Sequence, residues 1–448
     1  MIDFDLDKQT IKDLEIFADN RSLNSTSDYF NQTKTIGGRL FLFQVMKHPI
    51  TDIVELRQRT QLIQFISETG FDLKINSTQF EFIDHYQRLN IAPLRNNFLD
   101  AFFQNLAYRI NPDNNYYIIK SGVQHIAYLF IQLKEKMEGL GKTVIPEKLV
   151  VYQKLISDLI QKPEFRALNS DKLKITNSRL NRLDNLFRRK YKKELSEVIN
   201  MVYQLDAFIS IARVAKQNSL AFPVYSETAE QKLLIENFYH PLLENAVPYT
   251  IELNDLGNLC FLTGPNMAGK STFLKSVGLS IYLAHIGFPV PATRMITSIY
   301  HGIVTTINLS DDINRGYSHF YSEVSRIKET ALKLKEKKKL IVIFDELFRG
   351  TNVKDAFDAS LLIIKAFANI PDSAFFISTH ITEVAEKINH LNNIQFKYFD
   401  SNLVDNIPTY DYKLGDGISY ERLGLYIFKN ENVIEILESL GKNQNNEY

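Results

Sequence analysis

Leu259-Cys260-Phe261-Leu262-Thr263-Gly264-Pro265-Asn266-Met267-Ala268-Gly269-Lys270-Ser271-Thr272 runs from an apolar stretch, through a turn bounded by two glycines, into a helical repeat. Leu259 to Thr263 reads as a short buried strand, and the apolar spacing that starts near Thr272 reads as an amphipathic helix. Between them, Gly264-x-x-x-x-Gly269-Lys270-Ser271 has the strand-turn-helix context that a phosphate-binding loop requires. The glycines let the backbone fold until consecutive N–H groups converge on one point, and the following helix aims the positive end of its dipole there. Gly264, Pro265, Asn266, Met267, Ala268, Gly269, Lys270, Ser271 and Thr272 are therefore candidate contacts for a nucleotide. Lys270 is expected to reach the β- and γ-phosphates and the Ser271 hydroxyl to ligate Mg²⁺, so ATP and Mg²⁺ are the expected cofactors.

Two further apolar runs end in residues suited to the same chemistry. Leu340 to Phe344 is followed by Asp345-Glu346, and an acid at the carboxyl end of a buried parallel strand lies where such sheets bind ligands. Asp345 is expected to hold Mg²⁺, directly or through water, and Glu346 to orient and polarise the attacking water. Alone, such a pair is a weak signal and often only a helix cap; beside a phosphate loop it becomes a strong one. Ala374 to Ser378 is followed by Thr379-His380, and His380 there would sense the γ-phosphate or the attacking water. Glu346, His380 and Lys270 are thus the catalytic candidates. Strands interleaved with helices imply a mainly parallel sheet.

From the start to about Lys216 the sequence carries helical periodicity. Val123, Ile126, Phe130, Leu133 and Met137 form one apolar stripe. Leu195, Val198, Val202, Leu205, Ile209 and Ala212 alternate at three and four, which suits a long shallow seam and equally an ordinary bundle helix. Periodicity breaks at Phe222-Pro223 and again at Pro241 and Pro248, which marks a boundary near residues 217 to 235. The expected fold is mixed: an all-α domain over residues 1–220, an α/β P-loop domain over 221–440, and a polar tail over 441–448.

The 448 residues balance 52 basic against 52 acidic side chains, so no overall field draws the chain to nucleic acid or membrane, and any such contact must be local. The best local patch is Lys172, Lys174, Arg179, Arg182, Arg188, Arg189, Lys190, Lys192 and Lys193, opposed only by Asp184. On helices such a run is equally a solvated face. The run Lys333 to Lys339 reads as a solvated helix end. Cys260, the one cysteine, lies in an apolar run and reads as a buried, inert thiol. The first residues lack a signal pattern, and no apolar stretch reads as long enough to span a bilayer, so the expectation is a cytoplasmic protein without membrane contact.

The segments between these motifs narrow the class. Thr263 to Thr272, Asp345-Glu346-Leu347-Phe348-Arg349-Gly350-Thr351-Asn352, and Asp311 to Phe320 followed by Glu323 resemble the phosphate loop, the Walker B loop and the signature segment of the MutS family of DNA mismatch-repair ATPases. Phe238-Tyr239-His240-Pro241-Leu242, Tyr412-Lys413-Leu414-Gly415-Asp416-Gly417 with Gly424, Leu6-Asp7-x-x-Thr10, Gly37-Gly38-Arg39-Leu40 and Pro49-Ile50-Thr51-Asp52 extend the likeness over nearly the whole chain.

The resemblance implies an ABC-like P-loop ATPase domain behind helical levers, working as a homodimer in which Gly316 and Ser318 act on the nucleotide of the opposite subunit. It implies that Tyr249 and Tyr412 sandwich the adenine, with core packing as the other reading of each ring. The family's mismatch-reading domain precedes the core with which this chain begins, and the helical half looks short for levers plus a clamp, so the clamp is expected to be reduced or absent. The implied function is ATP hydrolysis coupled to lever movement on duplex DNA, mismatched or branched, with a repair protein as a further partner. A nucleotide-gated protein-interaction module without mismatch recognition is the alternative. A transporter-type ATPase would need a Leu-Ser-Gly-Gly-like signature that the sequence lacks.

Overall fold

The computed structural model describes residues 3–18, 24–95, 113–140, 144–165, 175–228, 230–307, 319–404, 407–419, 434, 436 and 437. Gly316, Ser318, Lys172, Lys174, Gly424 and the tail 441–448 lie outside the described residues. The described residues form two units: residues 30–47 with 57–218, and residues up to 29 with 48–56 and everything from 219 onward.

The chain opens with a two-residue strand β1 (Asp5–Leu6), helix α1 (Lys8–Asp13) and helix α2 (Thr26–Phe30). Asp7 caps α1 by accepting from the Thr10 N–H at 2.9 Å, which accounts for the Leu-Asp-x-x-Thr pattern. The helical unit follows, with α3 (Ile36–Lys47), α4 (Ile53–Thr69, whose first turn belongs to the other unit), α5 (Ser77–Gln87), α6 (Asn114–Glu138), α7 (Glu147–Ile160), α8 (Asn177–Asn185) and α9 (Lys192–Gln217). A π-helical turn, Leu186–Lys190, joins α8 to α9.

The expected stripe on α6 is buried throughout, and so is the three-four seam of α9. On α9, burial extends beyond the seam to Met201, Phe208, Ile211 and Val214, so this is a bundle helix enclosed on most sides. It is long and apolar enough to cross a membrane, which the sequence reading did not detect; most of its apolar window is buried inside the fold. Gly37 and Gly38 let α3 approach α9 closely. A Cβ on Gly37 would lie 2.5 Å from the Tyr203 ring, and one on Gly38 would lie 2.4 Å from Asp206 Oδ2. Buried Asp206 accepts from the Lys34 and Thr35 N–H groups and the Thr35 hydroxyl, supplying partners at the start of α3.

In the other unit, β2 (Val224–Tyr225), β3 (Lys232–Phe238), β4 (Tyr249–Asn254) and β6 (Arg294–Thr297) make a four-stranded sheet in the order β2-β6-β3-β4. The central sheet is seven-stranded. It uses β5 (Leu259–Thr263), β7 (Gly302–Thr306), β8 (Leu340–Phe344), β9 (Ala374–Ser378), β10 (Ile394–Phe399) and β13 (Leu414–Asp416) in the order β1-β7-β8-β9-β5-β10-β13. All pairings are parallel except β10 with β13. A short hairpin of β11 (Asn402–Val404) and β12 (Ile407–Thr409) stands apart. The three strands read from sequence occur with the expected bounds, and each is buried at every residue, as a parallel strand covered on both faces must be. Helix α10 (Lys270–His285) follows β5, while α11 (His319–Lys337), α12 (Val353–Ala368) and α13 (Thr382–Ile388) bury Ile327, Leu334, Ile364, Phe367, Val384 and Ile388 in one core with β8 and β9.

The division of the chain differs from a single cut after residue 220. Residues 3–29 and 48–56 belong to the sheet-bearing unit because β1 pairs with β7, Asp5 with Gly302 and Leu6 with Ile303. Thr10 Oγ1 accepts from the Thr305 N–H at 3.0 Å, and Asp13 accepts from the Thr305 hydroxyl at 2.7 Å. The lysine run after residue 333 is likewise more than a solvated helix end. Lys333 Nζ lies 3.1 Å from both Asp5 and Asp7, and Lys337 lies 3.8 Å from Asp5.

Candidate functional site

The loop between β5 and α10 takes its shape from Gly264 more than from any other residue. Its φ is 137°, and a Cβ there would lie 2.6 Å from the Phe399 carbonyl oxygen, so both conformation and space demand glycine. Gly269, at φ 109°, precedes α10, so the first N–H groups of a 16-residue helix open onto the loop. Lys270 begins that helix, two residues before the expected start near Thr272. Its side chain is buried, and Nζ donates to the Gly264 and Pro265 carbonyls at 2.8 and 2.9 Å, across the concavity of the loop. Burial lowers the Lys270 pKa, while the Glu346 and Asp345 carboxylates pull it back up.

Ser271 and Asp345 come together as the sequence implied. The Ser271 hydroxyl donates to Asp345 Oδ2 at 2.5 Å. Asp345 is held in turn by its own N–H, which donates to the Thr306 carbonyl at 2.9 Å, and by the Ser378 hydroxyl, which donates to Oδ1. Glu346 follows at φ 51°, and its carboxylate pairs with Arg349 at 2.5 Å. Ser271, Glu346 and Arg349 line a cleft of about 670 Å³ together with Val247, Tyr249, Lys270 and Tyr412, while Asp345 and Ser378 lie behind Ser271 and Glu346 and are not among its lining residues.

The two tyrosines fare differently. Tyr249 is buried and packs edge-to-face against Phe238, Phe273 and Phe399 with centroids 5.4 to 5.7 Å away, so most of its ring belongs to the core. Burial pushes its hydroxyl up to about 12, with Tyr412 adding to the shift. Tyr412 is 43% exposed at φ 55°, lines the cleft, and has the Tyr410 ring 6.1 Å from its own. A side chain at Gly269 would meet Tyr412 at 3.4 Å and the Tyr249 hydroxyl at 3.6 Å, so both rings adjoin the end of the phosphate loop. His380 is exposed beyond the end of β9 and is not among the residues lining the cleft.

The donor set suits a nucleotide with a hard cation. Mg²⁺ commonly takes one or two protein oxygens and completes its shell with phosphate and water. The facing Ser271 and Asp345 oxygens supply that number, and among the described residues no cluster of three or more His, Cys, Asp or Glu offers another metal site. Sequence reasoning passed over two residues. Arg349 lay within a quoted motif without a role, and Ser378 was read only as the last residue of a strand. The place of Ser378 follows from the register of β8 and β9, which end side by side with Phe344 opposite Ile377.

Comparison with known proteins identifies the family. Residues 9–212 match the family model described as MutS domain III, and residues 260–443 match MutS domain V. The DNA mismatch repair protein MutS of Lactobacillus acidophilus is 33% identical over 215 residues, 46% of this chain and 25% of the relative. That of Streptococcus sanguinis is 28% identical over 249 residues, 54% and 28% of the respective chains. The Thermotoga maritima protein of the same name is 30% identical over 245 residues, 54% and 30%. The chain thus spans about a quarter of the length of the curated relatives it matches. With domains III and V matched in tandem, and a phosphate-type loop, a carboxylate pair and a parallel sheet where domain V lies, the chain belongs to the MutS family.

Proposed function

We propose that this chain is an ABC-like P-loop ATPase that binds MgATP and hydrolyses it to ADP and phosphate, using the helical unit as a lever on DNA. The observation that carries the reading is the Ser271–Asp345 contact beside a buried Lys270 whose ammonium spans the phosphate loop. Bound MgATP supplies the transferable phosphoryl group and a cation that spreads its charge. Lys270 exchanges its two carbonyl partners for β- and γ-phosphate oxygens. Ser271 and Asp345 would hold Mg²⁺ with their oxygens, and Glu346, once released from Arg349, would orient the attacking water. Tyr412 stacks on the adenine, Tyr249 closes the floor beneath it, and His380 reads the γ-phosphate once the site closes.

Closure comes from a second copy of the chain, whose Gly316 and Ser318 complete the site as the family resemblance implies. ATP then draws two subunits together and hydrolysis releases them, a two-state coupling between nucleotide and lever position. Glu346→Gln is expected to keep ATP affinity within about threefold while turnover falls roughly 10²- to 10³-fold, as when one transition-state contact is removed. Unchanged turnover in a steady-state phosphate-release assay would take Glu346 out of the mechanism. A nucleotide-gated interaction module is the second reading. It is favoured by Arg188 and Lys190, which pair with Asp184 and Glu164 and so leave the basic patch smaller than the sequence promised.

A further inference from the structure

The turn after β8 is held in an unfavourable backbone conformation. Glu346 and Phe348 have φ of 51° and 63°, a region that residues with a Cβ seldom occupy unless their surroundings enforce it. Ser378, fully buried at the end of β9, meets this turn with main chain and side chain together. Its carbonyl accepts from the Leu347 N–H at 3.2 Å. Its hydroxyl accepts from the Glu346 N–H at 2.8 Å and donates to Asp345 Oδ1 at 2.5 Å. The other Asp345 oxygen takes the Ser271 hydroxyl.

We propose that Ser378 is a positioning residue whose hydroxyl sets both the Asp345 carboxylate and the Glu346 peptide, and thereby the metal ligand and the water-orienting base of the ATPase reading above. A hydroxyl is suited to this because it donates once and accepts as well. Here the donor goes to the carboxylate and a lone pair to the peptide. Removing it leaves Asp345 Oδ1 and the Glu346 N–H, both in half-buried residues, each short of a protein partner, which frees the carboxylate to rotate and the strained peptide to relax. The adjacent ion pair cannot substitute, because Arg349 holds only the Glu346 side chain and is itself mostly exposed. Ser378 secures the main chain beneath it, so the peptide stays in place when the carboxylate changes partners. The strand that carries Ser378 continues directly to Thr379 and His380, so the end of β9 serves both the Asp345-Glu346 turn and the proposed γ-phosphate sensor.

The test compares the full chain with Ser378→Ala and with the near-isosteric Ser378→Cys, which carries the comparison if the alanine variant does not fold. In the nucleotide-free protein, amide exchange at Glu346 is expected to accelerate by about tenfold in each variant, with Leu347, bonded to a carbonyl, changing less. With a fluorescent ATP analogue, affinity without Mg²⁺ is expected to stay within about twofold while the Mg²⁺ concentration for half-maximal tightening rises severalfold. Wild-type exchange at Glu346 with an unchanged Mg²⁺ requirement overturns the assignment, even if turnover falls. Failure of the ATPase reading would show instead in the wild-type chain, as no Mg²⁺-dependent binding, and the exchange measurement would still decide what Ser378 holds.

Discussion

His285 illustrates how the fold fixes the state of a single residue. It is fully buried, its Nδ1–H donates to the Ile281 carbonyl at 2.8 Å, and its Nε2 accepts from the Tyr300 N–H at 2.9 Å. A second ring proton would face that N–H, and burial lowers the pKa from 6.5 to about 4. Above pH 6.5 folded and unfolded states are both neutral there. As pH falls toward 4 only the unfolded state gains the proton, so stability is lost across that window and not further below it. The gap corresponds to roughly 3 kcal/mol, and His240, also lowered to about 4 by burial, adds to it. Urea midpoints measured from pH 7.5 to 4 should therefore fall, and His285→Gln should start lower and decline less; an undiminished decline would clear His285. That Lys270, Ser271, Asp345 and Glu346 would come together was legible in the sequence, because each ends or follows a buried strand in a recognisable spacing. Ser378 and Arg349 were not, because their roles arise from strand register and a left-handed turn, which no local pattern encodes.

Among the elements, the N-terminal strand and helix carry more than their length suggests. Asp7 caps α1, receives Arg326 at 2.7 Å and Lys333 at 3.1 Å, and so ties β1 and α1 to α11. Burial alone would raise its pKa, but the Arg326 hydrogen bond and charge, the Thr10 N–H and Lys333 outweigh it and hold the carboxyl well below the usual range. This contribution is complete above the unfolded value of 3.8 and is lost as pH falls below it. Asp7→Asn is expected to destabilise this unit by roughly 2 kcal/mol, since it removes the charge and leaves Arg326 short of its partner. Exchange protection of residues 8–13 should drop while that of α6 and α9 holds; equal loss in both sets would show that the anchor is not local. The helices and strands themselves were readable from period and burial, as α6, α9, β5, β8 and β9 show. Strand β1 escaped because two residues carry no alternation and its partner lies far along the chain.

For the whole molecule, the sequence disclosed the mixed class but not the partition, since a boundary read from composition assumes that each unit is one continuous segment. The chain in fact passes between units near residues 29, 47, 56 and 218. DNA contact also belongs to this scale. Among the described residues of the basic stretch, Arg182, Arg189, Lys192 and Lys193 are exposed and outside any ion pair. If these neutralise duplex phosphates, log K should fall with log salt at a slope of about −3 to −4. Replacing all four with alanine should flatten that slope in a fluorescence-anisotropy titration, and an unaltered slope would move the contact elsewhere. The pairing of Asp5 with Gly302 also dictates an order of events during synthesis. At roughly 5 to 20 residues per second, the first strand leaves the ribosome some 15 to 60 s before the strand it pairs with. Until then its apolar neighbours Phe4, Leu14 and Ile16, buried in the folded chain, lack the later-made part of their core, so this segment of the nascent chain is open to chaperones and proteases for that interval.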